Sequence, residues 1–127
     1  MNTPIYLIAP SLFLNFSNAV NAPRASMTPA GHVESFQWSN RLLLIRCGQA
    51  DRRLTELVKL WSETRTLLGA EERQMLLLWG PAEDRGDFEV SLIGKDGGVK
   101  SRWSAPVGPA DVFPVVDAMP MRRAEAR

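Results

Sequence analysis

The chain has 127 residues, 45% of them hydrophobic and 23% charged, a composition that fits one soluble globular domain with a real core. Fifteen basic and fourteen acidic side chains leave a net charge of +1, which excludes the basic surplus of a dedicated nucleic-acid binder. One cysteine, Cys47, and one histidine, His32, exclude an intrachain disulfide and the Cys/His cluster of a zinc site, so we expect no metal and no cofactor.

Residues 1–35 differ from the rest of the chain. Residues 5–16 form an apolar run that is too short to span a bilayer as a helix but is typical in length of a secretory signal. Residues 17–19, Ser-Asn-Ala, have the small side chains that a signal peptidase reads, although no Lys or Arg precedes the run and Pro10 interrupts it. We expect a periplasmic or secreted protein after signal cleavage. If translation starts at Met27, the protein is instead cytoplasmic.

The segment after the apolar run predicts a disordered linker. Residues 22–35 are rich in Pro, Ala, Ser and Thr and show no periodicity. His32 lies in this segment, and we interpret it as a solvated side chain because no partner is near it in sequence. The folded domain is therefore predicted to cover residues 36–127.

The first half of that domain predicts a strand, a helix and a second strand. Residues 42–45, Leu-Leu-Leu-Ile, are typical of a central strand that is buried on both faces. Asp51 is a suitable N-cap, and apolar residues follow it at helical spacing until Gly69, which is predicted to end one long helix. Residues 75–79 form a second buried strand. The helical crossover between the two strands makes them parallel.

A β-hairpin is the strongest structural signal in the sequence. Apolar and polar residues alternate over residues 88–92 and again over residues 99–103. The intervening Lys-Asp-Gly-Gly, residues 95–98, predicts a tight turn with a positive φ at Gly97. A phosphate-binding loop is the alternative, but no helix follows it to offer free N–H groups. Because the connection before the hairpin is short, we predict a four-stranded mixed sheet in the order 2-1-3-4.

The end of the chain predicts a C-terminal helix that begins at Pro109. Pro114 should kink or shorten this helix, and Pro120 should end it. The tail, residues 121–127, is predicted to be solvated. The tryptophans are interpreted as packing residues of the core and the sheet edges, with Trp103 the most exposed of Trp38, Trp61, Trp79 and Trp103.

These elements give an α/β fold, a minimal thioredoxin-like β-α-β-β-β-α sandwich with one long helix and a C-terminal helix. Three segments also look familiar: Trp38-Ser-Asn-Arg41, Leu92-Ile-Gly-Lys-Asp-Gly-Gly-Val-Lys100 and Asp117-Ala-Met-Pro-Met-Arg-Arg123. Through them, residues 36–127 resemble a domain family of unknown function that occurs in bacterial envelope proteins and in animal matrix proteins of the sushi-repeat-containing and coiled-coil-domain-containing types. The resemblance implies a thioredoxin- or peroxiredoxin-like fold and frequent export. It supplies no catalytic residues.

Cys47 is the candidate catalytic residue. It lies between the first strand and the first helix, and a helix N-terminus favours the thiolate of a nearby cysteine. Dithiol exchange within one chain is excluded because the required second cysteine would be at residue 50, which is Ala50. Asp87 precedes the third strand, where active thioredoxins have a cis-proline. Because Cys47 follows its strand so closely, we interpret it as a buried structural residue.

The sequence therefore predicts a non-catalytic thioredoxin-like domain that acts as a binding or interaction module of the bacterial envelope. We expect an unidentified protein partner, no nucleic acid, no stable membrane span, and a monomer or weak dimer. The alternative is an enzyme, a one-cysteine thiol redox enzyme or sensor that uses Cys47.

Overall fold

The computed structural model describes residues 4–8, 27–84 and 86–126. These residues form a mixed six-stranded sheet, four α-helices and a short 3₁₀ helix. The strands are β1 (Ile5–Ile8), β2 (Met27–Gly31), β3 (Arg41–Cys47), β4 (Met75–Pro81), β5 (Phe88–Ile93) and β6 (Val99–Trp103). The α-helices are α1 (Arg52–Leu60), α2 (Thr64–Glu72), α3 (Pro109–Asp117) and α4 (Pro120–Glu125), and the 3₁₀ helix is Val33–Phe36.

β3 is a central strand of the sheet, whose order is β2-β1-β4-β3-β5-β6. It runs parallel to β4 and antiparallel to β5. Leu43 and Ile45 on one face and Leu42 and Leu44 on the other are all buried, as predicted for a strand that is covered on both sides. The four strands predicted from the sequence are neighbours in the predicted order. The prediction of a four-stranded sheet is wrong, however, because β1 and β2 extend the sheet beyond β4.

The two additional strands come from the region that the sequence assigned to a signal-like segment and a linker. β1 pairs antiparallel with both β4 and β2, so that Leu7 lies opposite Leu78 on one side and Thr28 on the other. Met27–Gly31 is therefore a strand, ordered by backbone pairing although its side chains show no periodicity. Residues 17–19, the predicted cleavage site, lie outside the described residues. The division of the chain at residue 36 and the removal of a signal segment stay predictions.

The predicted single long helix consists of two helices. Asp51 caps α1 as predicted, because its Oδ1 accepts a hydrogen bond from the backbone N of Arg53 at 2.9 Å. α1 ends just before Trp61, whose ring is fully buried and whose Nε1 donates to the backbone oxygen of Val107 at 2.9 Å. This buried contact of Trp61 lies at the end of α1, and the next helix, α2, begins at Thr64.

Gly69 lies inside α2 and does not end a helix, so that prediction is wrong. A Cβ atom at this position would lie 2.9 Å from Cε2 of Phe113 on α3, closer than real Cβ contacts come. The glycine therefore serves the close packing of α2 against α3. Sequence reasoning treated it as a helix terminator because glycine is common at that position.

The C-terminal region is also divided into two helices. α3 contains Pro114 and ends at Asp117, before Pro120, and Pro120, the predicted end of this helix, begins α4. Proline is suited to this place because the first N–H groups of a helix have no intrahelical partner. The predicted solvated tail is wrong for Arg122, which is buried, and for Glu125, which pairs with a buried cation.

The hairpin is confirmed. β5 and β6 pair antiparallel, and Gly97 has a φ of 86° in the turn between them. The backbone N of Gly94 donates to the oxygen of Gly98 at 2.9 Å, which closes the turn. The prediction that Trp103 is the most exposed tryptophan is wrong, because Trp103 is half-buried whereas Trp38 is 64% exposed.

The helices α1, α2 and α3 pack on one face of the sheet. Residues of α1, α2 and α3 form a single buried cluster with alternate residues of β3, β4 and β5, including Ile45, Trp79 and Val90. The opposite face forms a smaller cluster that includes Leu44 and Leu78 and packs against the 3₁₀ helix. This arrangement places the two ends of β3, which carry the candidate functional residues, at opposite edges of the core.

Candidate functional site

Cys47 lies at the carboxyl end of β3 and is fully buried. Its neighbours across the sheet are Pro81 on β4 and Phe88 on β5. The backbone oxygen of Cys47 accepts a hydrogen bond from Nε1 of Trp79 at 3.2 Å. The thiol is therefore part of the core under α1.

Burial raises the pKa of the Cys47 thiol from 9.0 to about 11. Loss of hydration outweighs the opposing contact with Trp79, and the nearby carboxylate of Asp51 adds to the rise. With this pKa, roughly one thiol in ten thousand is ionised at neutral pH. The redox alternative requires a thiol with a lowered pKa. The environment of Cys47 raises the pKa instead.

A polar cleft of about 810 Å³ lies next to this end of β3. Arg46 and the carboxylates of Glu83, Asp87 and Glu89 are in its wall, whereas Cys47 is not. The carboxyl ends of parallel strands are a common place for ligands in α/β sheets. Here, however, the cleft gives no access to the thiol.

Arg41 lies at the opposite, amino end of β3 and is only 1% exposed. Its guanidinium forms a bidentate ion pair with Glu125 of α4, with N–O distances of 3.1 and 3.2 Å. Its Nη1 also donates to the backbone oxygen of Arg73 at 2.8 Å. The Nε atom of Arg41 is buried without a hydrogen-bond partner among the described residues. Buried donors are nearly always satisfied, so this atom is an exception that requires an explanation.

Lys95, in the hairpin turn, is a second buried cation at the same end. It is 8% exposed, and its Nζ donates to Oε2 of Glu125 at 2.7 Å and to Oε1 of Gln74. One carboxylate therefore serves two cations. Hydrogen bonds from Arg41, and then from Lys95, lower the pKa of Glu125 below its usual value of 4.5.

A further set of ion pairs attaches α4 to α2. Asp117 accepts two hydrogen bonds from Arg73, both at 2.9 Å, and one from Arg122 at 3.4 Å. Arg122, which is buried, also donates to Oε1 of Glu72 at 2.9 Å. The guanidinium of Arg73 lies 4.0 Å from the centre of the Phe113 ring. The hydrogen bonds from Arg73 are the main reason why the pKa of Asp117 is lowered.

A pocket of about 330 Å³ lies beside Arg41 and Lys95. We call it the hairpin pocket. Its wall combines the start of β3, the turn between β5 and β6, and the junction of α3 and α4. The lining residues are Arg41, Gly94, Lys95, Asp96, Lys100, Met119, Pro120 and Met121.

The three sequence segments that carry the family resemblance meet at the hairpin pocket. The first supplies Arg41, the second supplies Lys95 and Lys100, and the third supplies Met119. Sequence reasoning missed this site because it treated the second segment only as a turn and the third as a helix end and a solvated tail. The predicted topology did contain one signal, since antiparallel strands bring the start of β3 and the end of β5 to the same edge of the sheet.

Comparison with protein-family models gives a match to the family described as a domain of unknown function (DUF4174), over residues 46–125. The match covers more than half of the chain. The chain belongs to this family. Neither the curated proteins nor the solved structures gave a match.

The matched region of this DUF4174 chain includes Cys47, Lys95 and Glu125, whereas Arg41 precedes it. Among residues 4–8, 27–84 and 86–126, no group of three or more His, Cys, Asp or Glu side chains is placed to hold a metal ion. Within the same residues, no helix has the length and apolar character needed to cross a membrane.

Proposed function

We propose that this DUF4174 chain is a non-catalytic binding module with a thioredoxin-like fold. The fold assignment is supported by the parallel strands β3 and β4, which α1 and α2 connect, followed by the β5–β6 hairpin and by α3 on the same face of the sheet as α1 and α2. The observation that carries the functional proposal is the state of Cys47. The single thiol of the chain is fully buried, with a pKa raised to about 11.

The alternative function is a one-cysteine redox enzyme or sensor that uses Cys47. Its support is the position of Cys47 shortly before α1, but a redox thiol needs both exposure and thiolate character. The enclosed, protonated thiol of Cys47 favours a structural role. The binding proposal is therefore the one that this geometry supports best.

Thiol reactivity in the folded state distinguishes the two functions. We expect the wild-type protein to react with iodoacetamide at neutral pH only as fast as the fold opens locally, and to consume no hydrogen peroxide beyond the rate of Cys47→Ser. The same reaction in denaturant, where Cys47 is free, is the control for the reagent. Rapid peroxide consumption by folded wild type that is absent from Cys47→Ser would overturn the proposal.

We further propose that the protein is exported to the bacterial envelope. The apolar run at residues 5–16 and the small side chains at residues 17–19 support this address. Cleavage after Ala19 would remove β1 and leave the edge of β4 that it covers unpaired. Expression of the full chain in a Gram-negative host should give a shortened periplasmic protein by mass spectrometry. A cytoplasmic protein with Met1 intact, or one that starts at Met27, would contradict export.

A further inference from the structure

The charges around the hairpin pocket do not balance. Arg41, Lys95 and Lys100 are cations in its wall, and the carboxylates that pair with them are Asp96 and Glu125. Asp96 forms an ion pair with Lys100, with an Nζ–Oδ2 distance of 2.8 Å. Among the residues that the structure describes, Glu125 is therefore the one carboxylate that pairs with the two buried cations, and one positive charge is left over. Burying an excess charge is costly unless a counter-ion is nearby.

The unsatisfied donor lies on Arg41, one of the two buried cations that share Glu125. Arg41 is 1% exposed, it lines the pocket, and its Nε has no partner among the described residues. Neighbouring atoms of the same guanidinium already bind Glu125 and the backbone of Arg73. A second anion beside Arg41 would balance the charge of the described residues at the pocket.

The other side of the pocket is apolar. Met119, Pro120 and Met121 form this wall, and Met121 is exposed. Methionine side chains adapt to ligands of varied shape because they are flexible and polarisable. A ligand for this pocket therefore needs one negative group for the cationic side and a short apolar body for the methionine side.

We propose that the hairpin pocket binds a carboxylate that carries a short apolar chain, seated between Lys100, Lys95 and Arg41 on one side and Met119 and Met121 on the other. This inference rests on the proposed function, because it gives the binding module its binding site. The carboxylate group has two chemical sources, a free short-chain acid and the carboxyl terminus of a peptide. Both present the same group to the pocket, and the test ligands separate them.

The experiment is an NMR titration of the full-length, isotope-labelled chain. The test ligands are hexanoate for a free acid, N-acetylleucine for a peptide carboxyl terminus, and N-acetylleucinamide as the uncharged control. We expect saturable shifts at Gly94, Lys95 and the methyl groups of Met119 and Met121 with a carboxylate, with a dissociation constant near or below about 1 mM. Binding of hexanoate or of N-acetylleucine supports the proposal and identifies the source.

Two charge variants test whether the cationic wall is responsible. Lys100→Gln removes a pocket cation and also frees the carboxylate of Asp96, so carboxylate binding should weaken about fivefold. Lys59→Gln is the matched control, because Lys59 is exposed on α1 and is not a lining residue. Absence of saturable shifts, equal shifts with N-acetylleucinamide, or equal affinity of the two variants would overturn the pocket assignment. The proposed function is tested separately, because it would be overturned by peroxide consumption at Cys47 and not by the result at the pocket.

Discussion

The two ends of β3 use burial in opposite ways. At the carboxyl end, Cys47 is enclosed by apolar neighbours, and its pKa is raised to about 11 so that the thiol stays neutral. At the amino end, Arg41 is equally enclosed, and Glu125 pairs with its guanidinium through two hydrogen bonds. A protonated thiol is neutral and needs no charged partner when it is buried, whereas a guanidinium is always charged and requires one.

This difference also determines how each end depends on the rest of the chain. The environment of Cys47 comes from neighbouring strands and from α1, and it would persist if one contact were changed. The environment of Arg41 depends on Glu125, which is 84 residues away along the chain, and on the turn that holds Lys95. The amino end should therefore be the more sensitive of the two to substitution.

The largest effect is expected when Arg41 is removed. Arg41→Ala deletes a buried cation, leaves Glu125 with Lys95 alone, and opens a cavity at the start of β3, at an expected cost of about 3 kcal/mol in the free energy of unfolding. Cys47→Ala is the matched control on the same strand and should cost about 1 kcal/mol, because only a small apolar group is lost. Urea unfolding measures both. A larger loss for Cys47→Ala would reverse the comparison.

A smaller effect is expected in the hairpin turn that presents Lys95. Gly97→Val places a β-branched residue at a φ of 86°, which should cost about 2 kcal/mol. The backbone N of Trp38 also donates a hydrogen bond to the backbone oxygen of Lys95 in this turn. Gly86→Val is the control, since a Cβ there meets no atom within 4 Å and its φ is not in the left-handed range. The measurement is the midpoint of thermal unfolding of each variant. Equal midpoints for Gly97→Val and Gly86→Val would show that the turn carries no strain.

Local patterns in the sequence were sufficient for much of the fold. The apolar run of β3, the Asp51 cap of α1 and the Lys-Asp-Gly-Gly turn each follow from residues that are adjacent in the chain. The interruption at Trp61 was not predictable, because Trp61 fits the helical period and its contact with Val107 is long-range. β2 was missed for a related reason, since it is ordered by pairing with β1 and has no pattern of its own.

The residues of the candidate sites also differ in how far the sequence alone could predict them. Cys47 could be identified from its position between a strand and a helix, and its burial could be anticipated from its closeness to the strand. The hairpin pocket could be anticipated only in part. The antiparallel topology brings Arg41 near Lys95. Pro120 is a local signal for the start of a helix, but nothing in the sequence indicates that this helix returns Glu125 to those two cations.

The smallest effect that separates the two ends is the response to acid. The pKa of Glu125 is lowered in the folded state, first by hydrogen bonds from Arg41. The unfolded chain therefore binds a proton more readily, and the stabilisation from Glu125 is complete above its ordinary pKa of 4.5 and is lost as the pH falls through the lower, folded value. Cys47 contributes nothing in this range, because its pKa is about 11.

Glu125→Gln should therefore flatten the decline in stability between roughly pH 5.5 and pH 3, and it should cost about 1 kcal/mol at neutral pH because the amide keeps part of the hydrogen bonding. Urea midpoints measured across this range give the result directly. Glu56→Gln is the control, since Glu56 is exposed on α1 and has no ion pair among the described residues. It should follow the wild-type curve. If Glu125→Gln also follows that curve, the Arg41 charge is not held by Glu125, and the contrast between the two ends of β3 fails at its amino end.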